Sequence, residues 1–80
     1  MGGYRDLTAY ETVDKFRFTY NGDGLQEYVG QAAPGAAEGD LVWKIRKFTY
    51  SGTNATEVNW AQGSPAYKSS WTDRASYTYS

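Results

Sequence analysis

Rings and polar residues alternate from Val13 to Tyr20, with Phe16, Phe18 and Tyr20 on one side and Lys15, Arg17 and Thr19 on the other. A period of two is that of a half-buried strand, so the rings are expected to face a core. Asn21 to Gly24 ("NGDG") supplies residues that tolerate positive φ, and "LQEYVG" follows as the returning strand of a hairpin. Gln31 to Asp40 ("QAAPGAAEGD") has no strand or helix face and reads as a loop. "LVWKIRKFTY", "SGTNA" and "TEVNW" then give a second strand, turn and return, the last carrying Val58 and Trp60.

The two hairpins look alike: "KFRFTYNGDG" begins at Lys15 and "IRKFTYSGTN" at Ile45. Aligning residues 11–30 with 41–60 leaves five identities in twenty, Phe, Thr, Tyr, Gly and Glu, and β-branched and aromatic residues entering a glycine turn are what any hairpin favours. Convergence on turn chemistry accounts for them without duplication. The second copy also changes phase. Trp43 and Ile45 are odd-numbered, whereas Phe48 and Tyr50 are even. One extra residue at Arg46-Lys47, a β-bulge, brings all four to one side. The alternative, a strand buried on both faces, conflicts with Lys44, Arg46 and Lys47, so the bulge is expected.

Beyond Trp60 the pattern shifts. Ser64-Pro65 reads as a helix N-cap and first helical position. A short helical turn over 65–71 sets Tyr67 and Trp71 on one face. "RASYTYS" then alternates to the last residue, with Ala75, Tyr77 and Tyr79 against Ser76, Thr78 and Ser80. An open strand there is a template for another chain. Tyr67, Trp71, Arg74, Tyr77 and Tyr79 are therefore the candidate assembly interface; closure of the chain's own sheet is the alternative. The expected fold is mainly β, a single β-rich domain over residues 1–80. It is a small antiparallel sheet, sandwich or barrel-like, built from two hairpins plus a C-terminal strand and one helical turn. Phe16, Phe18, Trp43, Ile45, Val58 and Trp60 are the candidate core.

Composition changes the picture in two ways. Leu, Ile, Val and Phe make up only 11 of the 80 residues, a proportion that can mark disorder. Yet the net charge is −1 and there are eight Tyr and three Trp. Rings bury more area each than aliphatics, so a folded, ring-built core is expected. Histidine and cysteine are absent, which removes the usual general base, the thiol nucleophile, disulfides and ordinary zinc sites. Ser69 and Ser70 beside Lys68 read as polar surface, and Asn21 with Asp23 falls far short of a calcium loop. No enzyme, metal or cofactor is expected.

Three further partner classes remain: membrane, nucleic acid and glycan. No apolar run reaches membrane-spanning length and "MGGYRDL" lacks a signal peptide's apolar segment, so a soluble chain made in a cytoplasm, with no membrane partner, is expected. Lys15, Arg17, Lys44 and Arg46 interleave with rings as on a single-stranded nucleic-acid platform. Alternation puts those charges and rings on opposite faces, which disfavours nucleic acid. Exposed Trp or Tyr stacking on sugar leaves a carbohydrate-binding module, with a host-surface glycan as partner, as the alternative function.

"YVG" with "AAPGAA", "VWKIRKFTY", "NWAQG" and "WTDRASYTYS" together resemble a group of small virion-associated proteins of tailed bacteriophages. The likeness runs from Tyr28 to the last residue and rests on spaced Trp, Gly and Tyr landmarks. Relatives carry an acidic residue after the ring where this chain has Tyr67-Lys68, which implies different contacts there. The resemblance implies a non-enzymatic structural protein of the virion: a capsid decoration or a neck, tail or fibre component. It implies synthesis in the host bacterial cytoplasm, and as partners the chain itself and other virion structural proteins.

Overall fold

The computed structural model describes residues 14–80. Four strands, β1 (Lys15–Tyr20), β2 (Gln26–Ala32), β3 (Lys44–Ser51) and β4 (Asn54–Trp60), form one antiparallel sheet in the order β1-β2-β3-β4. The mainly β, hairpin-built fold read from the sequence is therefore observed, as a plain meander. The expected strand start at Val13 lies outside the described residues. Between β1 and β2 the Asn21 side-chain oxygen accepts the N–H groups of Asp23 and Leu25, at 2.9 and 3.1 Å. Gly24 takes the positive φ, +80°, that the turn requires.

The core lies on one face of this sheet. Ala32, Trp43, Ile45, Ala61 and Trp71 are buried together there. What covers them is the chain after β4, together with the loop between β2 and β3. Trp43 and Ser69 exchange backbone hydrogen bonds at 2.8 and 2.9 Å, and the Trp43 indole N–H donates to the Ala37 carbonyl at 2.9 Å. Ser69 and Ser70 are buried, not surface; their hydroxyls meet Gln62 and the Glu38 carbonyl. Lys15 donates to the Ala36 carbonyl at 3.0 Å and Arg17 pairs with Glu38 at 2.6 Å, so two cations on the core-side face of β1 pin the loop down.

Trp71 closes the core by lying directly on Gly30. A Cβ at position 30 would stand 2.4 and 2.6 Å from two carbons of the indole ring. Nothing with a side chain fits without displacing the indole. Gly30→Ala is expected to destabilise the fold by about 1–3 kcal/mol through overpacking. Urea unfolding checks this: the midpoint should fall with the slope unchanged. A midpoint equal to that of the parent protein would remove Gly30 from the account of the core.

Three expectations are corrected. There is no helical turn over 65–71; the one helical element among the described residues is a 3₁₀ turn at Arg74–Ser76. Ser64 does accept the Ala66 N–H, as a cap would. The N–H groups of Lys68 and Ser69, however, both reach the Trp43 carbonyl, so tertiary pairing takes donors that a helix needs. The C-terminal strand is also shorter than its alternation suggested. Thr78 and Ser80 bond to Gln62 and Trp60 beside the end of β4, at 2.8 to 3.1 Å, closing the chain's own sheet.

The third correction is the bulge. Residues 44–47 of β3 pair without interruption to 31–28 of β2, and Arg46, Lys47 and Phe48 pair in step with Trp60, Asn59 and Val58. The irregularity falls further on, where Thr49 opposes Glu57 and Tyr50 opposes Ala55, leaving Thr56 of β4 as the extra residue. The phase change along β3 is thus real. Trp43 and Ile45 serve the core, and Phe48 and Tyr50 serve the opposite face.

Candidate functional site

The opposite face is open. Strict alternation brings Phe16, Phe18 and Tyr20 of β1 onto it with Lys44, Arg46, Phe48 and Tyr50 of β3 and Val58 and Trp60 of β4, by the register Phe18↔Val29↔Arg46↔Trp60. Phe16 and Phe18 are 45 and 46% exposed, and Tyr20 and Val58 are similarly bare. Their rings stand parallel: Phe16 and Phe18 are 6.3 Å apart and inclined by 13°, Phe48 and Tyr50 6.4 Å apart and inclined by 20°. Phe16, Phe18 and Val58 therefore do not belong to the core. Trp43 and Ile45 lie at its centre, and Trp60 is half-buried on the open side.

Cations share this face with the rings. The Arg46 guanidinium lies 5.4 Å from the Trp60 ring centre, and the Lys44 ammonium 4.7 Å from Tyr67 and 5.9 Å from Trp60. The expected segregation of rings from charges holds for β1, whose Lys15 and Arg17 face the core side, and fails for β3. There Trp43 and Ile45 take the core-facing parity and leave Lys44 and Arg46 among the exposed rings.

A polar chain crosses one corner. Tyr67 donates to Asp14 at 2.7 Å, Gln31 donates to Asp14 at 2.8 Å, and Arg46 donates to Gln31 at 3.1 Å. The bonds from Tyr67 and Gln31 hold the Asp14 carboxyl below its ordinary range. The same bond, seen from the phenol, pushes the Tyr67 pKa up. The three bonds make a hydrogen-bonding corner beside exposed rings.

Of the residues expected at an assembly interface, Tyr67 alone lies on this face. Trp71 is 3% exposed. Arg74 lies over the Trp71 ring and donates to its carbonyl. The Tyr77 hydroxyl accepts the Ser70 N–H at 2.8 Å, and Tyr79 packs on Tyr28 and donates to the Arg74 carbonyl. Burial beside those rings raises the Tyr79 pKa above the ordinary tyrosine range. Phe48 and Tyr50 carried the signal for the open face, since their parity opposes that of Trp43 and Ile45.

The face is shallow, with no pocket among the described residues. No cluster of acidic side chains there could hold a metal ion, and no helix there is long and apolar enough to cross a membrane. The arrangement suits contact recognition: flat apolar area, ring faces and a few directed polar groups. No family model, curated protein or solved structure matches the chain.

Proposed function

We propose that the chain is a non-enzymatic structural component of a tailed-phage virion that works through protein–protein contacts. The observation that carries this reading is the open sheet face. Rings at 16, 18 and 20, with Val58, stay exposed on a molecule whose core is complete without them. Several exposed rings on one sheet face of a small domain point to an interface, and Trp, Tyr, Phe and Arg are the residues in which interface centres are rich. The phage landmarks supply the setting.

Quantitative mass spectrometry of purified particles of the encoding phage tests this. The chain is expected in them at a fixed copy number. Hundreds of copies mark capsid decoration; a few dozen or fewer mark neck, tail or fibre. Phe18→Ser should leave circular dichroism unchanged and abolish incorporation. Absence of the parent chain from particles would overturn the reading.

A second reading is a carbohydrate-binding module for a host-surface glycan. It draws on the corner where Trp60 and Tyr67 flank Lys44 beside Gln31 and Asp14. Ring faces with adjacent amide and carboxyl groups suit a sugar. Binding of soluble hexasaccharides, lost in Trp60→Ala, would favour it.

A further inference from the structure

We propose that the open face receives a protein surface that is apolar at its rim and brings a carboxylate to Arg46, and not a second copy of this chain. This rests on the assembly reading and names the chemistry of the partner. Arg46 occupies the middle of the face, between Val29 and Trp60 in the cross-strand register. A guanidinium has five N–H donors. One goes to the Gln31 side-chain oxygen, and Nε is sealed from solvent with no acceptor. Its charge is thus partly stripped of water against the Trp60 ring and has no carboxylate partner among the described residues.

Glu27 shares the parity of Val29 on β2 and forms no ion pair with Arg46, and the other acids near this face are engaged elsewhere. Asp14 accepts from Tyr67 and Gln31, and the ion pair of Arg17 with Glu38 lies on the other side of the sheet. A planar cation held on a ring and short of a counterion favours a carboxylate, which it can grip with two parallel hydrogen bonds. An aspartate or glutamate ringed by apolar groups complements the whole face.

Self-pairing fits poorly. A two-fold axis through the centre of the face sets Lys44 and Arg46 of one copy against the same cations of the other, and like charges across an interface oppose association. Four strands about 4.8 Å apart, with about seven residues rising about 3.3 Å each, span roughly 20 by 23 Å. That approaches the smaller specific protein interfaces in size. Nucleic acid is disfavoured by the few cations here, with Asp14 beside them. Glycan is disfavoured because Phe16, Phe18 and Val58 offer no polar edge for hydroxyl groups.

The test selects peptides from a displayed library of random twelve-residue sequences on the immobilised full chain. Enriched peptides should carry Asp or Glu between apolar residues and shift the amide resonances of β1, β3 and β4. Arg46→Met, with near-ultraviolet circular dichroism unchanged, should weaken their binding at least tenfold. Arg46→Lys, which keeps the charge and loses the planar fork, should weaken it by less and covers the case in which Arg46→Met misfolds. Equal binding by both variants, enrichment of peptides without acids, or no enrichment would overturn the proposal. So would the same resonances shifting with cellohexaose or a thirty-residue oligothymidine, or a dimer at sedimentation equilibrium that Phe18→Ser dissolves. None of these readouts needs particles, so absence from virions would remove the virion setting and leave this inference standing.

Discussion

Trp43→Ala is expected to unfold the isolated protein. The side chain is fully buried in the core: its ring meets Trp71 at 5.8 Å and its indole N–H holds the Ala37 carbonyl, while the Trp43 backbone pairs with Ser69. Replacing a buried Trp by Ala costs about 3–5 kcal/mol, through lost burial and the cavity left behind. Domains hold roughly 0.05–0.15 kcal/mol per residue in reserve, which for a chain this short is about 4–12 kcal/mol. The loss is a large part of that reserve, and it also removes the indole bond that ties the loop to the core at Ala37. Near-ultraviolet circular dichroism and amide dispersion should collapse. A folded, soluble Trp43→Ala monomer would count heavily against this core. Phe18→Ser on the open face is the contrast: at 46% exposure it should leave the melting curve nearly in place.

Deletion of Ser76 to Ser80 is also expected to unfold the chain. The segment contributes the Tyr77 and Tyr79 rings, both packed against the core, and the hydrogen bonds of Thr78 and Ser80 to the strand edge at Trp60 and Gln62. Burying a large apolar side chain is worth about 1.5–3 kcal/mol, so losing two half-buried rings removes a few kcal/mol. Deletion also leaves the Ser70 N–H without the Tyr77 hydroxyl. Hydrogen exchange and near-ultraviolet circular dichroism of the truncated protein decide the matter. A truncated chain that stays folded but no longer enters particles would instead make this segment an assembly element.

The fold was legible where chemistry is local. Alternation and turn residues placed all four strands, because strand period and positive-φ turns are written in consecutive residues. Face assignment was not local. Phe16 and Phe18 look like core residues because they are apolar and regularly spaced. Their register decides otherwise: Arg17, between them, opposes Gly30, and Gly30 is the seat of Trp71. That contact joins positions 41 residues apart. The helical turn at 65–71 failed for the same reason, since the Trp43 carbonyl captured its amide donors. The open face was half-legible. The parity conflict between Ile45 and Phe48 announced two apolar faces, and a bulge at Arg46-Lys47 explained that conflict away. Nothing in the sequence around Asp14 foretold its bond to Tyr67, which closes across the sheet.

The position of Trp71 bears on how the molecule is made. A ribosome releases the four strands first, with Trp43 and Ile45 on a face that nothing yet covers. The indole that seals this face, and the tyrosines that lock it, lie in the last ten residues of the chain. Hairpins can form during synthesis, but the core is completed only once Trp71, Tyr77 and Tyr79 have followed β4. A chain interrupted between Trp60 and Trp71 therefore has a sheet with both faces bare, a sticky species prone to aggregation and open to proteolysis. The fold thereby withholds stability until the segment that covers the sheet has been made.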